Sequence, residues 1–112
     1  MSDKGSAKEL KITKKVFQDI AKRRQVTGSV ATPGTVVALF IGRFTARSLI
    51  VSNPTSGSQT FQILDGTTVL VAFTLSAGSY WNMQDADLPF YVSVSFNATS
   101  TGVIFTSGGF VP

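Results

Sequence analysis

Apolar and polar residues alternate strictly in the segment that runs from Pro89 to Phe96. Apolar residues occupy every second position from Phe90 onward, and Tyr91 and two serines stand between them. A period of two is typical of a β-strand with one buried face, because successive side chains of a strand point to opposite sides. The segment is therefore predicted to be a strand that contributes one face to a core.

Six further short segments have the composition of strands. They are rich in β-branched and aromatic residues, and all but the first two are separated by stretches that contain Gly, Pro, Asn or Asp. They cover residues 35–44, 47–52, 60–64, 67–75, 80–83 and 102–106. Asp65-Gly66 joins two of them as a two-residue hairpin turn, in which positive φ is tolerated. About seven short strands predict an all-β fold, an antiparallel β-sandwich of Ig-like or jelly-roll-like type.

The apolar positions of these strands supply a predicted core, to which the nine Phe of the chain can contribute large buried areas. In the segment 67–75, alternation places Val69, Val71, Phe73 and Leu75 on one face. The residues expected at the centre of the core are Phe40, Leu49, Val51, Phe61, Ile63, Val69, Val71, Phe73, Val92, Val94 and Phe96.

Charge divides the chain into two parts. Residues 1–25 contain eight basic and three acidic residues, and residues 26–112 contain two basic and three acidic residues. The two net charges, +5 and −1, add up to the +4 of the whole chain. This asymmetry predicts a basic N-terminal arm over residues 1–27 and a β-sandwich domain over residues 28–112.

Apolar residues in the arm recur at offsets near three and four, which favours a helix from about Lys8 to Arg24. Ser6 and Glu9 have the spacing of a capping box at its start. The apolar residues favour docking on protein, and binding to nucleic acid or a solvated tail are the alternatives. The arm residues expected to anchor the chain to a partner are Lys8, Leu10, Lys11, Lys14, Lys15, Val16, Phe17, Ile20, Lys22, Arg23 and Arg24.

The chain contains no Cys and no His, which excludes several classes of chemistry. A disulfide framework, a thiolate zinc site, a Cys nucleophile and a His-based triad cannot form within one chain. No phosphate-binding Gly spacing and no Gly-x-Ser-x-Gly elbow is present. We therefore expect neither an enzymatic activity nor a cofactor. We also expect no membrane span, because the longest apolar run falls far short of about 20 residues.

Two pairs of residues could form a functional site, and each pair also has an ordinary structural interpretation. Asp85 and Asp87 could bind a hard cation or act as acid and base, but Asp is also a common turn residue. Tyr80 and Trp81 could form a stacking platform for a sugar or a base, or they could belong to the core or to a subunit contact.

Arg43 and Arg47 lie four positions apart in predicted strands, so we expect both on one face, where they could contact phosphate or an acidic partner surface.

The rest of the predicted sandwich carries few charges. Charged residues make up 14% of the chain, compared with about 25% in an ordinary soluble domain. A surface rich in Ser and Thr instead of charge suits packing against neighbouring subunits.

Four segments, Arg47–Asn53, Gln59–Leu70, Leu75–Ser79 and Pro89–Ser95, follow the order strand, Asn, small residues, strand, Asp-Gly, strand, Leu-x-Ala-Gly. In this order the chain resembles small β-sandwich structural proteins of bacteriophage virions, of the minor capsid, cement or vertex type. The resemblance covers roughly residues 45–108. It implies a structural role in a virion and no particular site residues.

We therefore expect a non-enzymatic virion structural protein that is made in the host cytoplasm. It would form a homo-oligomer and assemble with other virion proteins, such as major capsid or vertex proteins, with the arm as its anchor. One alternative is a nucleic-acid-binding module that uses the basic arm. Others are a carbohydrate-binding receptor module that uses Tyr80, Trp81, Asp85 and Asp87, and a β module of a cellular complex.

Overall fold

In the computed structural model, which describes residues 22–112, two antiparallel β-sheets pack on a common core. These residues form nine strands and no helix. The strands are β1 (Arg23–Gly28), β2 (Val37–Ile41), β3 (Phe44–Ser52), β4 (Gln59–Asp65), β5 (Thr68–Leu75), β6 (Tyr80–Met83), β7 (Leu88–Phe90), β8 (Ser93–Ala98) and β9 (Ile104–Phe110). The predicted all-β sandwich is confirmed.

Strands from the start of the chain pair with strands from its end, and successive pairs lie progressively closer together in the sequence. One sheet has the order β1-β9-β3-β6, with β7 also paired to β3, and the other has the order β2-β8-β4-β5. The first strand thus pairs with the last, β2 with β8, β3 with β6 and β7, and β4 with β5. Because β6 and β7 pair with successive parts of β3, they count as one interrupted strand. The connectivity is therefore that of an eight-stranded jelly roll.

The first strand, β1, begins inside the range that was predicted as the arm. Arg23 and Arg24 were expected to end a helix, but they are extended and pair with Phe110 and Gly109 of β9. The helix prediction is wrong for these two residues, because pairing with a distant strand overrides the local pattern. The predicted anchoring residues Lys8, Leu10, Lys11, Lys14, Lys15, Val16, Phe17 and Ile20 lie outside the described residues.

The core contains five fully buried phenylalanines. Phe96 lies at its centre, with its ring centroid 5.3 Å from that of Phe105 and 6.3 Å from that of Phe61. Phe44 and Phe90, which the sequence analysis left out of the core, are buried on adjacent strands. The correctly predicted buried residues are Leu49, Val51, Phe61, Ile63, Val94 and Phe96, and Phe40 and Val71 pack partly buried against them.

Three residues predicted for the core are exposed instead: Val69 (47%), Phe73 (54%) and Val92 (61%). Phe73 lies opposite the buried Phe61 and so faces the core side. It stays exposed because β5 is the edge strand of its sheet. Val92 lies between β7 and β8, where the segment predicted as one strand is interrupted by a bend.

A bulge accounts for the exposure of Val69. Ile63 pairs with Val71, but the next residue, Leu64, pairs with Val69, so β5 contains one extra residue at this point. An extra residue reverses the alternation of faces beyond it. Val69 therefore lies on the opposite face from Val71, and a prediction from uniform alternation could not place it.

Candidate functional site

An open groove with a volume of about 430 Å³ crosses the outer face of the sheet that contains β1, β9 and β3. The pairing of β1 with β9 identifies the two faces of this sheet. Val26 and its partner Ser107 are buried and therefore lie on the inner face. Arg23 and its partner Phe110 therefore lie on the outer face. The groove is lined by Arg23, Arg24, Gln25, Arg47, Ser48, Gly108, Gly109 and Phe110.

Gly108 and Gly109 follow one another in β9 and both line this groove. A Cβ atom on Gly109 would overlap the carbonyl oxygen of Thr45 and lie 2.8 Å from the ring of Phe44. The close approach of β9 and β3 therefore requires glycine at this position. Two glycines inside a strand are a sequence signal for such an approach, and the sequence analysis tested them only as a phosphate loop.

Arg47 reaches the groove from a β-bulge in β3. Ala46 pairs with Gly109 and Ser48 pairs with Gly108, which leaves Arg47 as the extra residue between them. Its carbonyl oxygen accepts a hydrogen bond of 2.9 Å from the backbone N–H of Ala86. A bulge redirects the side chain of the extra residue, and Arg47 is exposed.

Arg43 lines a second groove, with a volume of about 370 Å³, and Phe110 belongs to the lining of both grooves. The expectation that Arg43 and Arg47 share one face assumed unbroken alternation between them. Arg43 precedes the start of β3, and the bulge interrupts the alternation at Arg47. The structure therefore assigns the two arginines to different grooves.

Positive charge in the first groove is not balanced by acidic residues of its lining, since no Asp or Glu among residues 22–112 lines it. The guanidinium carbon of Arg23 lies 5.7 Å from the ring centroid of Phe110, and that of Arg24 lies 5.0 Å from the centroid of Phe40. These are cation–π distances, which hold the arginine stems against apolar surface. Like charges are thus held together at one end of the sandwich.

Asp65 has a structural role that the sequence analysis missed. Its carboxylate accepts hydrogen bonds from the backbone N–H groups of Tyr91, Val92 and Ser93, at 3.0, 2.7 and 3.2 Å. Burial acts to raise the pKa of this carboxyl, but the three donors outweigh it and lower the pKa below its ordinary value. Asp65 is therefore an anchor for the bend between β7 and β8.

A second missed residue is Asn53, which the sequence analysis assigned only to a turn. Its buried amide nitrogen donates to the carbonyls of Gly57, Leu75 and Ser76 at 2.9 to 3.1 Å. Its side-chain oxygen accepts hydrogen bonds from the backbone N–H and the hydroxyl of Thr55. Asn53 thus joins the loop after β3 to the end of β5.

Asp85 and Asp87 lie in the connection between β6 and β7, and both are exposed. Asp85 has a φ of 52°, a left-handed conformation that Asp adopts more readily than most residues. Residues 22–112 contain no group of three His, Cys, Asp or Glu side chains that could hold a metal ion. The left-handed backbone of Asp85 is typical of a turn residue.

Tyr80 and Trp81 do not form one platform. Trp81 pairs with the buried Val51 and faces inward, with its ring centroid 5.6 Å from that of Phe61. Tyr80 is the preceding residue of the same strand and is exposed on the outer face. Only Tyr80 is therefore available as a stacking surface at this position.

Two apolar surfaces of the sandwich remain exposed. The first is β5, whose eight residues carry no charged side chain. The second lies at one end, where Ile41 is 81% exposed beside Tyr91 and Val92. The backbone N–H of Gly42 donates to the carbonyl of Val92 at 2.8 Å, which fixes these residues next to one another. We call this second surface the Ile41 patch.

No family model matches the sequence, and no curated protein matches it. Solved structures match its shape at low identity. The Drosophila NLP core, reported for pentamer formation and histone binding, is 15% identical, with a TM-score of 0.46 over 80% of this chain and 98% of that one. The tobacco streak virus coat protein is 16% identical, with a TM-score of 0.40 over 81% and 88%.

A third match is a Bacillus endospore appendage protein from a family of disulfide-linked pili. It is 11% identical, with a TM-score of 0.39 over 80% of this chain and 88% of that one. A xylanase structure is also among the matches. With TM-scores this low, none of these likenesses assigns a function. Within residues 22–112, no helix is long and apolar enough to cross a membrane.

Proposed function

We propose that this chain is a non-enzymatic structural subunit of a virion, made in the host cytoplasm. Its sandwich self-associates, and the subunit joins other virion proteins such as the major capsid or vertex protein. The proposal combines three features, which are the open sheet edge of β5, the Ile41 patch and a surface of low charge. It assigns no catalytic role: the chain contains no Cys and no His, and Asp85 and Asp87 are exposed in the connection between β6 and β7.

The observation that carries the proposal is the edge formed by β5. This strand pairs with β4 on one side and, within residues 22–112, with no strand on the other. It contains neither Pro nor a charged residue, although both are common devices that keep an edge strand from pairing with another chain. Phe73 and Val69 add exposed apolar area to it. Pairing with a strand of another subunit would satisfy its free backbone groups and cover these side chains.

The other edge strands of the sandwich are less suited to such pairing. β1 carries Arg23 and Arg24, and β6 is only four residues long. β2 has five residues and a register shift between Ala38 and Phe40. Charge, short length and bulges all discourage pairing at an edge. The contrast singles out β5 as the edge that favours assembly.

The assignment to a virion rests on the type of fold and on the sequence pattern of residues 45–108. Eight-stranded jelly rolls are common in viral capsid proteins, but they also occur in lectins and cupins, so this support is an analogy. The resemblance to phage structural proteins lies within the same sandwich. A carbohydrate-binding role through Tyr80 and Trp81 has less support, because Trp81 packs against Phe61.

The mass of the full chain in solution, measured by light scattering after size exclusion, tests self-association. We expect a multiple of 11.9 kDa. Phe73→Lys should shift the population toward monomer, because a charge in the middle of β5 opposes pairing at that edge. Ile104→Lys is the matched control, since Ile104 has a similar exposure of 45% but lies on β9, inside its sheet. This control should keep the mass of the unmodified chain.

A monomer at all concentrations of the unmodified chain would refute self-association. Equal masses for Phe73→Lys and the unmodified multimer would refute the role of β5. The proposed anchoring by the arm is tested separately with Val16→Asp and Phe17→Asp in the full chain. These changes should reduce cosedimentation with virus particles and leave the mass of the free protein unchanged.

A further inference from the structure

We propose that the groove lined by Arg23, Arg24 and Arg47 binds the phosphate backbone of single-stranded nucleic acid. This site belongs to the sandwich, because Arg23 and Arg24, which were predicted as part of the basic arm, lie in β1. It lies on the other sheet from β5, at the end of the sandwich that also carries the Ile41 patch, since Arg24 contacts Phe40. Its binding test is independent of the mass measurement that tests self-association.

The charge of the groove is the first argument for a phosphate ligand. Arg23 and Arg47 line one open groove, and no carboxylate of residues 22–112 lines it with them. Arg24 also belongs to the lining, but its guanidinium lies over Phe40 of the other sheet. Positive charges held together without a counter-charge repel one another, and an anionic ligand relieves that repulsion. Arginine presents its donors in a planar fork that suits two oxygens of one phosphate.

The glycine floor is the second argument. Because Gly108 has no side chain on the outer face, an extended ligand backbone can approach the sheet closely between Arg23 on one side and Arg47 on the other. The floor itself supplies few free donors. β9 pairs on both sides, and the N–H of Gly108 donates to the hydroxyl of Ser48 at 3.2 Å. Contacts would therefore come mainly from side chains.

The aromatic ring in the groove favours a single strand over a folded protein ligand. Arg23 lies above the half-buried ring of Phe110, and arginine and aromatic groups are the surfaces on which unpaired bases stack. The chain preceding Arg23 continues the positive charge, because residues 1–22 contain six basic and three acidic residues. A long polyanion can interact with all of these positive residues at once, whereas a single carboxylate cannot. Contacts to the backbone alone predict binding without sequence preference.

Fluorescence anisotropy of a labelled 20-residue oligothymidylate, titrated with the full chain at several salt concentrations, tests the site. We expect Arg47→Gln and Arg23→Gln each to weaken binding by about tenfold at low salt and to reduce the salt slope by about one. Arg43→Gln is the matched control, because it removes the same charge from the neighbouring groove. It should change affinity less than about twofold. Circular dichroism confirms that each variant is folded.

Three results would overturn the proposal. If Arg43→Gln weakens binding as much as Arg47→Gln, general charge and not the groove attracts the oligonucleotide. If a variant with all three groove arginines changed to Gln binds with unchanged affinity, the arm alone carries the binding. If polyglutamate displaces the oligothymidylate at equal charge concentration, the groove is a site for acidic protein segments.

Discussion

The carboxylate of Asp65 accepts a hydrogen bond of 2.7 Å from the backbone N–H of Val92, which lies 27 positions further along the chain. With the neighbouring bonds to Tyr91 and Ser93, it joins the turn between β4 and β5 to the bend between β7 and β8. One side chain thus fixes two loops at the end of the sandwich that carries the Ile41 patch.

The first prediction concerns the acid stability of this end. The pKa of Asp65 is lower in the folded chain than its unfolded value of about 3.9. Its contribution to the free energy of unfolding is therefore present above pH 4 and is lost as pH falls through the lower, folded pKa. Asp65→Asn should cost about 1 kcal/mol or more at neutral pH, since the bonds to one oxygen become neutral and those to the oxygen replaced by NH2 are lost.

Urea denaturation between pH 2 and pH 7 measures this effect. The variant and the unmodified chain should converge in stability at the acid end, where the carboxylate of the unmodified chain is protonated. A constant difference between them across the whole pH range would contradict the role of the Asp65 charge.

The second prediction concerns the buried amide of Asn53. Asn53→Ala removes donors from three carbonyls, and buried polar groups left without partners are costly, so we expect a loss of about 2–4 kcal/mol. Asn82→Ala is the control, because Asn82 is exposed on β6 and should change stability by less than about 0.5 kcal/mol. Both are measured by denaturant unfolding at one protein concentration. Equal effects of the two changes would argue against the Asn53 network.

The third prediction concerns the contact between β9 and β3. Gly109→Ala places a Cβ atom against the carbonyl of Thr45, so the strands must separate or the bulge must move. We expect a loss of more than about 2 kcal/mol, the range typical of overpacking. Gly57→Ala is the matched control, since its Cβ would meet nothing closer than 3.9 Å. Thermal unfolding followed by circular dichroism compares the two, and an unchanged midpoint for Gly109→Ala would contradict the close approach.

The fourth prediction distinguishes the contributions of Trp81 and Tyr80 to stability. Trp81→Ala should reduce stability by about 2–3 kcal/mol, because the indole packs on Phe61 and its removal opens a cavity. Tyr80→Ala should change stability by less than about 0.5 kcal/mol, since the ring is exposed. Denaturant unfolding provides both values. Loss of glycan binding by Trp81→Ala with full retention of stability would instead favour the carbohydrate-binding interpretation.

The local pattern was sufficient to predict most strands, because alternation and turn residues act within a few positions. Its limit is visible at Asp65 and Gly66. The predicted hairpin turn exists, but its two central residues are Gly66 and Thr67, and Asp65 is the last residue of β4. The φ of Gly66 is 60°, which suits the first central position of such a turn. Asp65 is instead used for hydrogen bonds to a distant bend, which no local pattern encodes.

The groove could not be predicted, because it depends on pairing between distant parts of the chain. Arg23 reaches Phe110 only through the pairing of β1 with β9, and Arg47 reaches the same place through a bulge. The sequence around β1, with two arginines and a glutamine, lacks the alternation of a buried strand. Gly108-Gly109 was the one local signal of the close approach between β9 and β3.

The pairing of the first and last strands gives the subunit two unlike ends. The backbone N–H of Val111 donates to the carbonyl of Lys22 at 2.9 Å, so Lys22 lies beside the groove lined by Arg23, Arg24 and Arg47. In any ring with cyclic symmetry, every copy presents the same end to the same side. Such a ring would have one strongly cationic side, formed by the arginines of every copy, and its two sides would differ in charge.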